Sequence, residues 1–406
     1  MQIVYALTWS RPRREAMYDQ SVNTAAALGR QGASVTLLMP QRPGDPALTA
    51  EDLRGYYDVE GDFDVVQRSS RWTGPRLVGS ALWLRQVFRD PLLRSADMLY
   101  ARAPEMQGIG HLSPIPYVFE HYRLWPDELP WLRPFFRRSL NDPNCLGLVL
   151  HSEHAAEAYR RAGIAADRVL VAHNGSEAVR LGERLDKASA RRLLDLPSGR
   201  PIAVYSGRIG ADKGLDQIGE LARRRPEVLF LIVGDDGTDK ARKAAPTGDN
   251  IRLVPWQTHK SLGPWLWAAD VLLVPASRAP LERFGNCVLP IKLFTYLAAG
   301  RPILAPGAPD TREVLAHEST ALLVGPDRPD EAAAALDRLL ADSSLAASLS
   351  ANALALAEGL SWDSRAQAII AFLRQRQAQL HPRAEMSGYA GGGPAFSASR
   401  ASSSNM

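Results

Sequence analysis

Short apolar runs alternate with longer stretches of helical periodicity along most of this chain, a pattern that predicts parallel strands joined by crossover helices. In the first half the runs QIVYALT (2–8), SVTLLMP (34–40), ADMLYAR (96–102), IPYVFEH (115–121), LGLVLHS (146–152) and VLVAHNG (169–175) predict strands. In the second half PIAVYSG (201–207), VLFLIVGDD (228–236), NIRLVPW (250–256), DVLLVPAS (270–277) and RPILAP (301–306) do the same. The near-continuous apolar character of these second-half runs predicts burial on both sheet faces. Between strands, DQSVNTAAALGRQG (19–32) has a small-residue apolar face and a glycine stop, which predicts a helix. The stretches 330–359 and 361–380 predict long closing helices.

The polar stretch 174–200, with Pro197 and Gly199, separates the halves and predicts a hinge. The expected fold class is α/β, with two doubly wound Rossmann-like domains facing across a cleft. In such sheets ligands bind outside the carboxyl ends of the strands. The expected division is a first domain at 1–180, a second at 181–365, a helix at 366–380 that can pack back on the first, and a disordered tail at 381–406. That tail is rich in Gly, Ser and Ala and lacks periodicity.

Composition narrows the function. A chain of 406 residues can bury two cores, and 46% apolar with 23% charged residues is ordinary for a folded globular protein. The net charge of +4 suits an anionic substrate or an acidic membrane surface, so a peripheral membrane contact stays open. It falls short of the basic stripe that nucleic-acid binding needs. Cys145 and Cys287 have no metal-type spacing and fit a reducing compartment. MQIVYALT reads as a first strand and not as a leader peptide, so a cytoplasmic location is expected. Asp62 and Asp64 in GDFD have a metal-motif spacing, but they stand alone beside a polar loop and read as a turn; no metal is expected.

The candidate chemistry starts in SGRIGADKG (206–214), where the predicted strand ends at Gly207 and Arg208 follows at once. Lys213 comes five residues later, in a chain whose lysines are only Lys187, Lys213, Lys240, Lys243, Lys260 and Lys292. The glycine spacing is neither a dinucleotide fingerprint nor a phosphate loop. A helix N-terminus with free N–H groups, an arginine fork and a lysine point charge still suit a diphosphate. An ordinary loop with solvated cations is the competing reading, and the turn alone leaves the two level.

The surrounding residues break that tie. VYSGRIGADKGLDQI resembles the G-R-x-x-x-x-K-G turn of the retaining GT-B glycosyltransferases known as glycosyl transferases group 1 (family 4-like). GNCVLPIKLFTYLAAGRPILAP resembles that family's donor-site segment, and VLHSEHAAEAYRRAGIAADRVLVAHNGSE resembles its first-half passage. The resemblance implies a GT-B enzyme that transfers a sugar from a nucleoside-diphosphate sugar to an acceptor hydroxyl. It implies no cofactor besides that co-substrate. A non-catalytic partner subunit with a degenerate donor site, or a nucleotide-sugar epimerase or hydrolase of the same fold, are the alternatives.

Carried over residue by residue, the resemblance makes Arg208 and Lys213 the diphosphate ligands, with Gly207 in the turn. The family's two glutamates eight apart are not both present: Glu282 fits the sugar-hydroxyl role, while Thr295 stands where the ribose carboxylate is expected. Phe284, Gly285, Asn286 and Cys287 are the backbone donors of the F-G segment, and Lys292 is expected at a helix start facing the cleft. Trp256 falls where the family borders the nucleotide base; a buried structural tryptophan is the alternative. His121 is expected near the donor sugar, although the family spells this place E-x-H or H-D and here Glu120 and His121 are adjacent. On the acceptor side stand Arg11, Arg13 and Arg14, in place of the usual glycine-rich loop, and Arg102 at a strand end. Sugar, base, acceptor and oligomeric state are not legible.

Overall fold

The computed structural model of the chain describes residues 1–70, 76–283, 285 and 289–380. Two parallel sheets form its frame. The first holds β1 (Gln2–Ala6), β2 (Ser34–Gln41), β3 (Asp64–Ser69), β4 (Met98–Ala101), β5 (Tyr117–His121), β6 (Cys145–Leu150) and β7 (Val169–Val171), in the order β3-β2-β1-β4-β5-β6-β7. The second holds β8 (Ile202–Ser206), β9 (Leu229–Asp235), β10 (Ile251–Pro255), β11 (Val271–Leu273), β12 (Ile303–Pro306) and β13 (Leu322–Val324), in the order β10-β9-β8-β11-β12-β13. Every strand pairing is parallel, and helices cover both faces of each sheet, so both faces carry apolar clusters.

Two of these strands are not among the runs read from the sequence. β3 lies at the edge of its sheet and is half-buried and polar, so DVVQRS lacks the continuous apolar character of a central strand. The three-residue β13 ends the second sheet. The predicted helix at 19–32 forms at Ala16–Arg30, and the long closing stretch divides into Pro329–Ala341 and Ser343–Gly359. Asp342 makes that break by capping the second of these helices, its carboxylate accepting the Leu345 N–H. Asp62 and Asp64 lie at the lead into β3, far along the sheet from the switch point.

Strand order reverses between β1 and β4 in the first sheet and between β8 and β11 in the second. Loops leaving these strand pairs diverge and open a crevice at each switch point. The two crevices face each other. The final helix, Trp362–Leu380, crosses back to the first domain, where Trp362, Ala366, Ile369 and Leu373 join its core.

The domains also touch on both rims of the crevice. On one rim Arg180, in the connecting turn Ala178–Leu181, donates to the Tyr57 carbonyl (2.6 Å), Asn23 Oδ1 (2.9 Å) and Asp19 Oδ1 (3.1 Å). Beside it the His259 N–H donates to Asp58 Oδ2 at 2.9 Å. On the other rim Glu313 accepts the N–H groups of Glu153 and His154, both at 2.6 Å. A second-domain carboxylate thus satisfies two orphan donors at the start of the helix Glu153–Arg161.

Candidate functional site

A cavity of about 590 Å³ lies between the domains, lined by the loops that leave β1, β4, β8 and β11. Its second-domain wall is built on two glycines. Gly207, at φ +133°, follows β8, and Gly234, at φ +137°, lies in β9; a Cβ on Gly234 would fall 2.2 Å from the Gly207 carbonyl oxygen. A Cβ on Gly207 would fall 2.7 Å from Lys292 Nζ, so only glycine lets that ammonium reach the turn. Lys292 is the second residue of the helix Ile291–Ala299, and its Nζ stands 3.6 Å over the Tyr205 ring. Burial, and then the neighbouring Lys213 charge, depress the Lys292 ammonium well below the ordinary lysine range.

Arg208 and Lys213 face the same space and share one carboxylate. Asp212 accepts from Arg208 Nη2 at 2.7 and 2.9 Å and lies 3.3 Å from Lys213 Nζ. Gly214, in the left-handed region at φ +66°, then starts the helix Leu215–Arg224, whose first N–H groups point back at the turn. Arg208 and Lys213 share one carboxylate, Lys292 stands beside them, and a positive helix end adds to the excess. Such a turn has the charge to attract an anion.

Beyond the turn, Trp256 follows β10 and anchors its N–H on the Asp235 carbonyl at 2.9 Å. Its ring lines the cavity and is covered by the Arg14 guanidinium, 4.0 Å from the centroid. Thr295, one turn into the helix Ile291–Ala299, also lines the cavity. Asp19, a carboxylate not singled out from the sequence, shares that part of the floor with Thr295 and His259. Burial pushes Asp19 upward, but Arg180 and His259, at 3.1 and 3.5 Å, hold it below the ordinary carboxylate range.

Of the acceptor-side arginines, Arg13, Arg14 and Arg102 line the cavity. Arg102 is partly buried and donates to the Met17 carbonyl at 3.2 Å and to Ser21 Oγ at 3.3 Å. Arg11 does not line it; its side chain is exposed and pairs with Asp45. Glu282 is exposed as well, 3.9 Å from Arg278, and does not line the cavity. Gly285, at φ +63°, lies against Leu124 and its carbonyl accepts from His154 Nε2 at 3.2 Å, a contact between the domains. Phe284, Asn286 and Cys287 lie outside the described residues.

His121 is also absent from the cavity lining, and the reason is strand periodicity. Adjacent residues on β5 project to opposite faces. His121 joins Phe119 and Trp125 in an aromatic stack, with centroids 5.7 and 3.9 Å away, and its Nε2 is buried without a hydrogen-bond partner. Glu120 takes the other face. There it accepts from Gln20 Nε2 and Tyr100 Oη, both at 2.6 Å, and from Arg365 Nη2 at 2.9 Å. His151 Nε2 lies 2.9 Å from the same carboxylate, and His151 does line the cavity.

Burial raises the Glu120 carboxyl, but Arg365 and Arg102 outweigh it and keep the group well below the ordinary range. Burial likewise lowers His151, to about 4, against the pull of Glu120, so the imidazole is neutral near pH 7. The signal for His151 was available: it directly follows β6, at the carboxyl end of an interior strand, the sheet end where such folds place their ligand groups. Arg365 gave no such signal.

Residues 186–355 match the family described as Glycosyl transferases group 1, a span that covers most of the second domain. The chain is 32% identical over 197 residues to the D-inositol 3-phosphate glycosyltransferase of Thermobispora bispora, an overlap of 44% of each protein. The chain therefore spans about half the length of the curated relatives it matches. Among solved structures, sucrose-phosphate synthase from Thermosynechococcus elongatus superposes with a TM-score of 0.72 at 18% identity, over 93% of this chain and 99% of that one. An Anabaena protein in complex with UDP and glucose superposes with a TM-score of 0.67 at 18% identity, over 92% and 99%. These superpositions show the GT-B fold. The match over residues 186–355 is to the glycosyltransferase family to which the donor-turn motifs point.

Proposed function

We propose that this protein is a retaining glycosyltransferase that moves a sugar from a nucleoside-diphosphate sugar to an acceptor hydroxyl. The observation that carries this reading is the convergence of Arg208, Lys213 and Lys292 on the Gly207 turn at the interdomain cavity. A nucleoside diphosphate gains negative charge as it leaves. Cations fixed at that place stabilise the transition state more than the bound donor. Trp256 would border the base once Arg14 moves off its face, and the Thr295 hydroxyl would meet the ribose. The Anabaena structure with UDP and glucose makes a UDP-sugar the first donor to test.

Arg13, Arg14 and Arg102 face the cavity from the first domain and suit an acceptor that carries an anionic group. Retention is supported by the state of the carboxylates. Of the four carboxylates that line the cavity, Asp212 is bonded to Arg208, Asp19 to Arg180 and Asp58 to the His259 N–H, which leaves the exposed Glu15, at the start of the helix Ala16–Arg30, as the one uncommitted group among those described. The departing phosphate oxygen then takes the acceptor proton. The bond from the anomeric carbon to that oxygen breaks as the bond to the acceptor forms on the same face.

A thermal-shift series with UDP, GDP, ADP and their sugars tests donor binding through the stabilisation any native-state ligand brings. NMR of the product from the stabilising donor then reads the anomeric configuration. No stabilisation by any of them, and no transfer, would favour the non-catalytic partner reading; an inverted product would overturn retention alone.

A further inference from the structure

We propose that the segment Pro130–Leu140 of the first domain docks on an anionic lipid bilayer, with its turn and helix lying flat in the interface. The sequence PWLRPFFRRSL forms a short turn, Pro130–Leu132, followed by the helix Arg133–Leu140. Phe136 and Leu140, four residues apart on one helical face, are buried, and Phe136 stacks on Trp125 with centroids 6.4 Å apart. The opposite face is therefore fixed outward. On it Trp131 is 71% exposed, the most of any large apolar side chain among the described residues, and Phe135 is 42% exposed. Phe135 lies against Gly108, and Leu112, four residues further along the chain from Gly108, is also exposed.

The net charge on this face is positive. Asp127 takes both Arg133 (2.9 Å) and Arg161 (2.6 Å), which leaves a net cation there. Arg137 and Arg138 are exposed, and no described carboxylate lies within 4 Å of either. Exposed aromatic side chains flanked by unpaired arginines suit the headgroup region of an anionic membrane, where rings sit at the interface and cations meet lipid phosphates. A purely apolar patch would suit a second protein copy equally well; the unpaired arginines favour the lipid.

The patch also stands where a bilayer would be useful. The same loop region supplies Tyr122 to the cavity wall and Leu124 to the contact with Gly285, and Arg133 ties the helix back to it through the Pro126 carbonyl at 2.8 Å. Docking here brings the rim of the cavity to the membrane surface. The inference goes beyond the transferase reading and does not depend on it.

Flotation of the full chain with vesicles tests this, using phosphatidylcholine alone and phosphatidylcholine mixed with phosphatidylglycerol, at low and high salt. We expect binding to the mixed vesicles only, lost at high salt, and weakened at least roughly tenfold in both Trp131→Ser/Phe135→Ser and Arg137→Glu/Arg138→Glu. All the altered side chains are exposed, so the variants should keep the melting temperature of the parent. Equal vesicle binding by parent and variants, or none by the parent, would overturn the proposal. So would concentration-dependent dimerisation of the parent that the Trp131→Ser/Phe135→Ser variant abolishes, since the patch would then be covered by a second copy. The readout needs neither donor nor acceptor, so its failure is separate from any failure of sugar transfer.

Discussion

Asp212 occupies the place between Arg208 and Lys213 that a diphosphate would contest. Burial raises its carboxyl, and the Lys213 and Arg208 charges bring it back below the ordinary range. Neutralising it should free the two cations, and Asp212→Asn should tighten UDP binding by roughly two- to fivefold, the worth of an exposed pair. Isothermal calorimetry reads this directly; weaker binding would mean that Asp212 holds the cations in register and does not compete with the ligand. The cations themselves carry a larger stake. Arg208→Met/Lys213→Met should lower kcat by at least about 100-fold with the fold intact, the scale on which a donor to a developing anion contributes. Unchanged turnover in that variant would remove the ground for the whole reading. The residue scale is also where sequence reading was strongest: Gly207, Arg208, Lys213 and Lys292 all meet at the cavity. Those positions hang on one turn and one helix start, and local sequence fixes both.

Among the elements, the final helix does more than cover the first domain. It carries Arg365 into the core to meet Glu120, a residue 245 positions earlier in the chain. Arg365→Met should cost about 3–5 kcal/mol, because a buried carboxylate loses its closest guanidinium. The double variant Arg365→Met/Glu120→Gln should recover part of that loss in urea titrations; strict additivity would show that the two groups do not act as a pair. A second element effect sits at the start of the helix Glu153–Arg161, capped from the other domain by Glu313. Glu313→Ala should cost about 0.5–2 kcal/mol as a lost cap. It should also relax domain closure, seen as a larger radius of gyration in small-angle scattering. Ser152 is the local cap in the structure, its side chain accepting the Ala155 N–H, and nothing in the sequence reveals that the Glu153 and His154 N–H groups are satisfied from across the cleft.

At the scale of the whole molecule, the buried cluster beside the cavity links stability to pH. His151 is held neutral to about pH 4 in the folded protein, whereas an unfolded histidine takes up its proton near 6.5. Between those values the unfolded chain binds more protons, so stability must rise with pH across that window. Glu120, held below its ordinary range, adds a slope of the same sign at still lower pH. The melting temperature should therefore fall as pH is lowered from 6.5 toward 4, and His151→Gln should flatten that fall. A flat profile in the parent protein would contradict the burial of His151.

What the sequence determined by itself was the alternation of strands and helices, the two-domain plan, and the cationic turn after β8. Each depends on residues close together along the chain, where periodicity and turn chemistry act directly. Only the tertiary structure decided which face of β5 the adjacent Glu120 and His121 would take, that His151 and not His121 would reach the cavity, and that Arg180, Glu313 and Arg365 would join the domains. Those outcomes depend on register and on contacts between segments hundreds of residues apart. A side chain's direction there is set by what packs against it, and a linear pattern carries no record of that partner.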